Sequence, residues 1–494
     1  MRGRVVLLFS LVVACGGEPQ RPPPVVPPSP CPTSAPAAAT GAPVVEQPPK
    51  SFDVAAIDAW VAKQIERKGL VGASLAIARD GKIVLAKGYG KKSLAGPDPV
   101  TPATAFAIGS VTKQMTCASA LLLAEEGKLS FDDKVAKYYP ELTRAKDVSL
   151  HDLLTHVAGY HDYYPLDFLD FRMMKATSPD AVIKEYAGRP LDFEPRTRFS
   201  YSNTGYLIVG RIVEKLSGQP LGVFMKKRLF EPAAMTHAAL ERKELADIAT
   251  GHTAFQLGET EITQPEAEGW VHAAGGVHAS AEDLVRWDIA LVDKKIVNAR
   301  SLETMTTPKK LADGAPTAYA CGLGVHQRGA ETVYQHSGAV SGFLTWNTIL
   351  PRTRSAVALS VNSDHLDARP IHSEIVSLLL KATESKPTPE IAGTPAADAA
   401  RALFAEMQRG SVDRSKFGPE FAAYMSDARV KAAAPKLAAL GEPEKVEVKD
   451  TSERGGAENA TLELRFKGGA IVRAILHRSP DGKIQQFLLF RAGQ

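Results

Sequence analysis

Cysteine is scarce in this chain, with four in 494 residues, and the spacings match neither a zinc pattern nor a dense disulfide framework. Cys117 falls in the apolar helical run after Ser110 and Cys321 in a Gly-rich strand-like segment, and both read as small core residues. Runs of Lys and Arg interleaved with aromatics are also missing, and the net charge is only +4. That excludes the electrostatic footprint of a nucleic-acid-binding surface. P-loop and G-x-G-x-x-G patterns are absent, so nothing suggests a glycine-rich phosphate cradle. There is no G-x-S-x-G elbow, which argues against an α/β-hydrolase. His151 and His156 are five positions apart, off the zincin spacing; no metal and no cofactor is expected.

The composition is that of a soluble globular protein, 44% hydrophobic and 23% charged, and the length suggests two to four domains. The N-terminus stands apart. A basic "MRGR" precedes the apolar "VVLLFSLVVA", which is too short for a stable membrane span and reads as an export signal over residues 1–14. Val12-Val13-Ala14-Cys15 resembles a bacterial lipobox, implying cleavage before Cys15 and lipidation of that cysteine. Gly16 and Gly17 lack the aspartate that retains such proteins at the inner membrane, so an outer-membrane anchor facing the periplasm is expected. A plain signal peptide followed by an unrelated cysteine is the simpler alternative. Residues 15–50 are rich in Pro and Ala and read as an extended tether that cannot bury enough surface to fold.

Folding signals begin at 53–68, "DVAAIDAWVAKQIERK", with helical periodicity. "GASLAIARD" and "KIVLAKGYG" follow as strands joined at Asp80-Gly81, a strong hairpin signal. Helical patterns dominate from 110 to about 235. Strands return at "TVYQHSG", "FLTWNTILP" and "SAVALSVN", before a closing helix near 370–382. This order predicts an α/β (α+β) domain over 51–384, with a sheet and an inserted helical lobe. A polar, Pro-containing break at 385–397 separates it from residues 398–494. There, two helical patterns precede four strand-like segments, with turns at Gly468-Gly469 and Pro480-Asp481-Gly482. That stretch looks like a small cystatin- or NTF2-like α+β module.

Three local patterns carry candidate chemistry. In "AIGSVTKQMT", Ser110 and Lys113 sit at i and i+3, one face of a helix. A desolvated lysine can take the serine's proton, and a helix N-terminus favours the negative charge of attack. Ser110 as an ordinary N-cap is the competing reading. In "RFSYSNTGYL", Tyr201 can shuttle a proton and Asn203 can hold a carbonyl or the lysine; equally, Ser202 or Asn203 begins a helix. In "VYQHSGAVSGF", His336, Ser337 and Gly338 can line a cleft from an edge strand, with the glycine admitting substrate backbone. "GYHDYYPLDFLDF" at 159–171 either shapes an apolar pocket or packs the helical lobe.

Ser-x-x-Lys, then Tyr-x-Asn, then His-x-Gly in this order resembles the serine β-lactamase and penicillin-binding-protein superfamily. "VSLHDLLTHVAGY", "AAGGVHASAEDLVRW" and "YACGLGV" are similar to segments of its class C-like branch of β-lactamases, D,D-carboxypeptidases, D-aminopeptidases and esterases. The likeness runs through about residues 51–384 and implies a β-lactamase-like domain with a central antiparallel sheet. It implies Ser110 as acyl-enzyme nucleophile, Lys113 as proton-relay partner and Tyr201 as general base and acid. Asn203 would orient Lys113 and the substrate amide or ester. Backbone N–H groups of Ser110 and Ala339 would form the oxyanion hole. Penicillin-recognising members usually carry lysine at the position of His336. Histidine is mostly neutral at pH 7.5, so an ester or D-amino-acid amide or peptide is the expected small-molecule substrate. The alternatives are a D,D-carboxypeptidase or β-lactamase, and a non-catalytic cell-wall peptide-binding lipoprotein.

Overall fold

The computed structural model describes residues 47–49, 52–164, 171–328, 331–380, 391, 393–454 and 457–491. The expected signal, Cys15, nearly all of the tether and most of the 385–397 break lie outside them.

The chain opens with α1 (Val54–Lys68), whose first turn is capped by Asp53, its carboxylate accepting from the N–H of Ala56 at 2.7 Å. β1 (Gly72–Arg79) and β2 (Lys82–Gly90) form the expected hairpin. Asp80 and Gly81 both adopt positive φ, 54° and 76°, as a tight hairpin turn with right-handed strand twist demands. β3 (Phe106–Ala107) leads into α2 (Thr112–Glu125). The lobe continues with α3 (Leu150–Leu154), α4 (Pro179–Ala187), α5 (Asn203–Ser217) and α6 (Leu221–Met225). Two short strands, β4 (His252–Thr253) and β5 (Glu261–Ile262), precede α7 (His272–Gly275), β6 (His278–Ala279), α8 (Ala281–Val292) and α9 (Ala299–Thr306). Four strands then complete the main sheet: β7 (Gly324–Arg328), β8 (Glu331–Val340), β9 (Phe343–Leu350) and β10 (Ser355–Val361), followed by α10 (Arg369–Leu380).

The sheet order is β2-β1-β10-β9-β8-β7, antiparallel throughout. β1 and β10 are buried on both faces, and their alternation divides the load by size. Leu75, Ile77, Val357 and Leu359 face α1 and α10. Ala76, Ala78, Ala356 and Ala358 face the helical lobe, and these small side chains let α8 lie close to the sheet. α2 is buried on every side, from Thr112 to Leu123, the mark of a helix at the centre of a core rather than on its surface.

Beyond the break, three helices appear where two patterns are read: α11 (Ala396–Gln408), α12 (Pro419–Tyr424) and α13 (Asp427–Ala438). They cover one face of a four-stranded antiparallel meander, β11 (Pro443–Arg454), β12 (Ala457–Phe466), β13 (Ile471–Arg478) and β14 (Ile484–Arg491). Leu462, Leu464, Leu476, Phe487 and Leu489 build its own core against Leu403, Phe404 and Phe421. Leu257 of the larger domain reaches into that core, and Gln256 Nε2 donates to the Phe487 carbonyl at 3.3 Å.

One expectation is corrected. Cys117 and Cys321 are fully buried, as core residues are, but they are disulfide-bonded to each other, with Cα atoms 5.8 Å apart. A bridge between cysteines 204 residues apart in sequence leaves no local spacing to read.

Candidate active site

The N-terminal ends of α2 and α5 converge, and the three sequence patterns meet there. Ser110 is not an N-cap. It lies in a single 3-10 turn, Gly109–Val111, that runs directly into α2, and its hydroxyl accepts from Lys113 Nζ at 3.1 Å. Lys113 is wholly enclosed. Its ammonium also donates to Asn203 Oδ1 and to the Ala274 carbonyl, both at 2.7 Å. It lies over the rings of Tyr201, at 4.9 Å from the centroid, and Tyr206, at 5.3 Å, where ring faces favour a cation.

Asn203 is the first residue of α5, and Ser202 stands at the N-cap without making a capping bond. Both sides of the Asn203 amide are engaged. Its oxygen takes Lys113, and its nitrogen donates to both oxygens of Asp162 at 3.1 Å. The Asp162 carboxylate further accepts the N–H of Asn203 at 2.9 Å and that of Tyr164 at 3.1 Å. Burial pushes the Asp162 carboxyl above the usual range, opposed by these N–H groups and by the charge of Lys113. The amide is therefore turned towards Asp162 and aimed at the lysine; no part of it is left over for a substrate carbonyl.

Tyr201 faces Ser110. Burial raises its phenol well above the ordinary tyrosine range, with the Ser110 hydroxyl pulling the other way, and the phenol finds no well-formed hydrogen bond of its own. His156 fixes the strand-like segment that carries it. The His156 carbonyl accepts from the Ser200 N–H at 2.9 Å, and its Nδ1 accepts from the Ser202 N–H at 3.0 Å. Its ring lies 4.2 Å from that of Tyr201. Because Nδ1 accepts a backbone N–H, the proton resides on Nε2; burial and Lys113 hold this ring neutral, well below the usual histidine pKa.

β8 supplies the opposite wall. β7 pairs with it only as far as Gly324↔Gln335, so from His336 onward that edge is open to the cleft. A Cβ on Gly338 would fall 1.9 Å from the Ile108 carbonyl oxygen and 3.1 Å from the Ser110 nitrogen. Only glycine lets the strand press on the serine turn. On the other side of the contact, Gly109 has φ +51°, and a Cβ there would meet the Ala339 nitrogen at 2.7 Å. The backbone of Ser110 and that of Ala339 are thereby held side by side. Ser337 is exposed.

His336 Nδ1 lies 2.6 Å from the Ser337 carbonyl, which can only accept, so Nδ1 carries the proton. Nε2 accordingly accepts from the Tyr319 hydroxyl at 2.8 Å. The ring is half-buried, and desolvation, with Lys113 adding to it, draws its pKa down to about 3. Tyr319 belongs to the loop that includes Cys321 and Gly322, and a Cβ on Gly322 would sit 2.6 Å from the Lys113 carbonyl oxygen. The disulfide thus ties this loop to α2 one turn beyond Lys113.

The segment at 159–171 serves both of its expected ends. Tyr160 and Tyr163 pack in the lobe's core; Tyr164 lines the cleft and donates to Glu266 Oε1 at 2.6 Å. Residues 165–170 lie outside the described residues. Asp162 and Tyr319 are site residues the sequence patterns did not single out, and His156 was noted only for its spacing from His151. Tyr319 falls in "YACGLGV" and His156 in "HDLLTHVAGY", so the signal was the segment, without the role.

Comparison with known proteins agrees with this geometry. Over 304 residues the chain is 27% identical to a penicillin-binding-protein-like sequence of Bacillus subtilis (strain 168), covering 61% of this chain and 73% of that one. It is 27% identical over 331 residues to the D-aminopeptidase of Brucella canis, covering 64% of this chain and 62% of the relative's length. The octameric penicillin-binding protein homologue from Pyrococcus abyssi shares the fold, with TM-score 0.61 and 22% identity over 90% of this chain and 97% of that one. The D-amino acid amidase of Ochrobactrum anthropi SV3 does so at TM-score 0.55 and 22% identity, over 66% of this chain and 96% of that one. The family model named Beta-lactamase matches residues 57–380, from α1 to the end of α10 and through every residue of the cluster around Lys113; the chain belongs to the Beta-lactamase family.

Proposed function

We propose that the protein is a serine hydrolase that forms an acyl-enzyme on Ser110 and hydrolyses an ester or a D-amino-acid amide or peptide. The observation that carries this reading is the set of partners around Lys113. A neutral amine has two N–H donors and one lone pair. Asn203 Oδ1 and the Ala274 carbonyl can only accept, and they take the two donors. The Ser110 hydroxyl, which accepts from Nζ when the amine is charged, can donate to the lone pair when the amine is neutral. The serine proton can pass to Nζ while the other two hydrogen bonds stay in place, so activation costs no rearrangement.

Tyr201 then acts as a proton donor. Its raised pKa keeps the phenol protonated, and its unfilled hydrogen-bonding capacity suits a leaving oxygen or nitrogen beside Ser110. Lys113 returns the serine proton to the Tyr201 phenolate and is neutral again; water then attacks the acyl-enzyme, and Lys113 takes its proton and passes it to Ser110 Oγ as the acid departs. The N–H groups of Ser110 and Ala339 receive the oxyanion. A neutral His336 offers no charge to a carboxylate next to the scissile bond, which speaks against efficient penicillin recognition. The D-aminopeptidase and D-amino acid amidase relatives support the substrate class. We further infer export and anchoring through a lipidated Cys15, from the N-terminal sequence.

Intact mass spectrometry with a fluorophosphonate, on the wild type and on Ser110→Ala, tests the nucleophile; a single adduct absent from the variant is expected. A panel of p-nitrophenyl acetate, D- and L-alanine p-nitroanilide and nitrocefin tests the substrate. Turnover of the ester and of the D-anilide above the L-anilide, with nitrocefin slowest, is expected. If the panel is untouched and no adduct forms, the hydrolase reading is wrong and peptide binding without catalysis takes its place.

A further inference from the structure

The wall facing Ser110 is a strand edge, and most of its hydrogen-bonding capacity is already taken. Val325 of β7 sends its N–H away from β8, to the Ala318 carbonyl at 2.8 Å, so the two strands are bonded through the pair Gly324↔Gln335. Alternate residues of a strand direct their N–H and C=O to the same side. Ser337, Ala339 and the turn residue Ser341 therefore share the side of Gln335, towards the cavity of about 740 Å³ in front of Ser110. The Ser337 carbonyl accepts from His336 Nδ1 at 2.6 Å, and the Ser341 N–H donates to Glu266 Oε1 at 2.8 Å. Among the described residues of this edge, only Ala339 keeps both its N–H and its C=O for the cleft.

Glu266 thus ends the edge with a carboxylate. Its Oε1 also accepts the hydroxyl of Tyr164 at 2.6 Å, and Tyr164 lines the cavity. Among the described residues its Oε2 takes no hydrogen bond, and no Lys or Arg stands within ion-pair distance of it. Asp364 Oδ2 accepts the next N–H of the turn, that of Gly342, at 2.8 Å. Burial raises the Asp364 carboxyl to about 7, the charge of Glu266 adds to this, and the Thr253 hydroxyl and the Gly342 N–H oppose it. His252 donates its N–H to the Gly342 carbonyl, and His365 follows Asp364; burial lowers both rings, His365 to about 4, so neither is a cation near pH 7. On the serine side, Asp162 faces the charge of Lys113. Arg172, on the segment whose Met173 carbonyl accepts from the Ala267 N–H, is bound by Tyr186 and Glu420. Arg429 lies over the rings of Tyr424 and Phe255. Lys175, Glu261 and Glu268 are exposed. The end of the edge is therefore acidic, with one carboxylate oxygen turned to no cation.

We propose that Glu266 reads the α-ammonium of the residue whose carbonyl Ser110 attacks, so that the acyl donor is a single amino-acid residue with an unblocked amine. The inference rests on the hydrolase reading and narrows its substrate. Two residues bonded in antiparallel register exchange both their hydrogen bonds. A substrate residue opposite Ala339 gives its scissile carbonyl to the Ala339 N–H, and its amine donates to the Ala339 carbonyl. Ser341 lies two residues, roughly 7 Å, further along the strand, and there Glu266 occupies the backbone N–H. An ammonium still has protons for that carboxylate. A blocked amine brings no charge to it, and a longer chain would bring a carbonyl to the Ser341 N–H that Glu266 already holds. Selection thus comes from attraction to one class of donor and from a closed edge against the other.

The test uses the full chain with D-alanine p-nitroanilide, its N-acetyl derivative and p-nitrophenyl acetate. Wild type should prefer the unblocked anilide to the acetylated one in kcat/KM. Glu266→Gln keeps an acceptor for Ser341 and Tyr164 but removes the charge, and should cut that ratio by about 10-fold or more, through KM rather than kcat. A residue that only capped the turn would affect both anilides alike, so an unaltered ratio overturns the inference. A second measurement needs no variant. KM for the unblocked anilide should rise as the pH passes the pKa of its amine, about 8, while KM for the acetylated one does not. A level KM, or equal use of the two anilides by the wild type, overturns the inference as well. Turnover of p-nitrophenyl acetate with neither anilide touched counts against Glu266 and the pairing at Ala339, and not against Ser110. All three substrates untouched, with no fluorophosphonate adduct, sinks the hydrolase reading itself and takes this inference with it.

Discussion

Two ends of one cleft treat charge in opposite ways. At Ser110 a single lysine is shut away from water among an amide, a carbonyl, a hydroxyl and two aromatic faces. At the other end, Asp367, Arg369 and Arg473 line the same cavity and are partly exposed, with Arg473 Nη1 3.6 Å from Asp367 Oδ2. The difference teaches what burial is for. Enclosure makes a proton's position depend on a few tenths of an ångström, which suits bond making. Partial exposure screens each pair, which suits recognition of an incoming group, with modest gains and reversible contacts.

The contrast can be broken at its strongest point first. Lys113→Met removes the proposed base at Ser110; we expect acylation to fall by about 10⁴-fold or more, read by stopped-flow ester hydrolysis. Retained turnover would mean that the enclosed lysine is structural. Asp162→Asn is next. It keeps the size but frees the Asn203 amide to rotate, and kcat should fall by about 10²-fold with KM little changed; an unchanged kcat would assign Asp162 to packing alone. His336→Lys moves charge back to β8. Acylation by benzylpenicillin should rise about tenfold, and failure to rise would show that the strand no longer reads carboxylates at all.

Replacing both Cys117 and Cys321 by alanine should cost ~2–4 kcal/mol of stability by releasing the unfolded chain. The rate should change by no more than about twofold, because the Gly322 contact with α2 remains; a far larger loss would make the bridge part of the machinery. The smallest effect concerns pH. The unfolded chain protonates its histidines near pH 6.5, whereas the His336 ring refuses a proton until about 3. Stability therefore falls as the pH drops through 6.5, and kcat/KM for a neutral ester should show no step there from this ring. A step that His336→Gln removes would show that the ring is hydrated.

Much of the architecture is visible before any coordinates. β1, β2, β8, β9 and β10 announce themselves through alternation and through Asp80-Gly81, because strand period and turn chemistry are local. Ser110, Lys113, Tyr201 and Asn203 stand out because their spacings are local too. Asp162 was hidden for the opposite reason: an aspartate in an aromatic loop says nothing about which amide it will orient. His156 sits in a helix-rich segment and could not be linked to Tyr201 without the fold, and the Cys117–Cys321 bridge needs three-dimensional proximity. Asp367 and Arg473 meet from stretches 106 residues apart in sequence.

The order of the central sheet carries a consequence for how the protein is made. β1 sits between β2 and β10, and the serine turn is braced by Gly338, 228 residues after Ser110 in the sequence. At about 5–20 residues per second, a ribosome needs roughly 10–50 s to produce the strand that completes the site. For that interval the serine is an inert alcohol on an unfinished lobe. On the proposed mechanism the site is complete only after β8, β9 and β10 have emerged, and a chain interrupted before them should hydrolyse nothing.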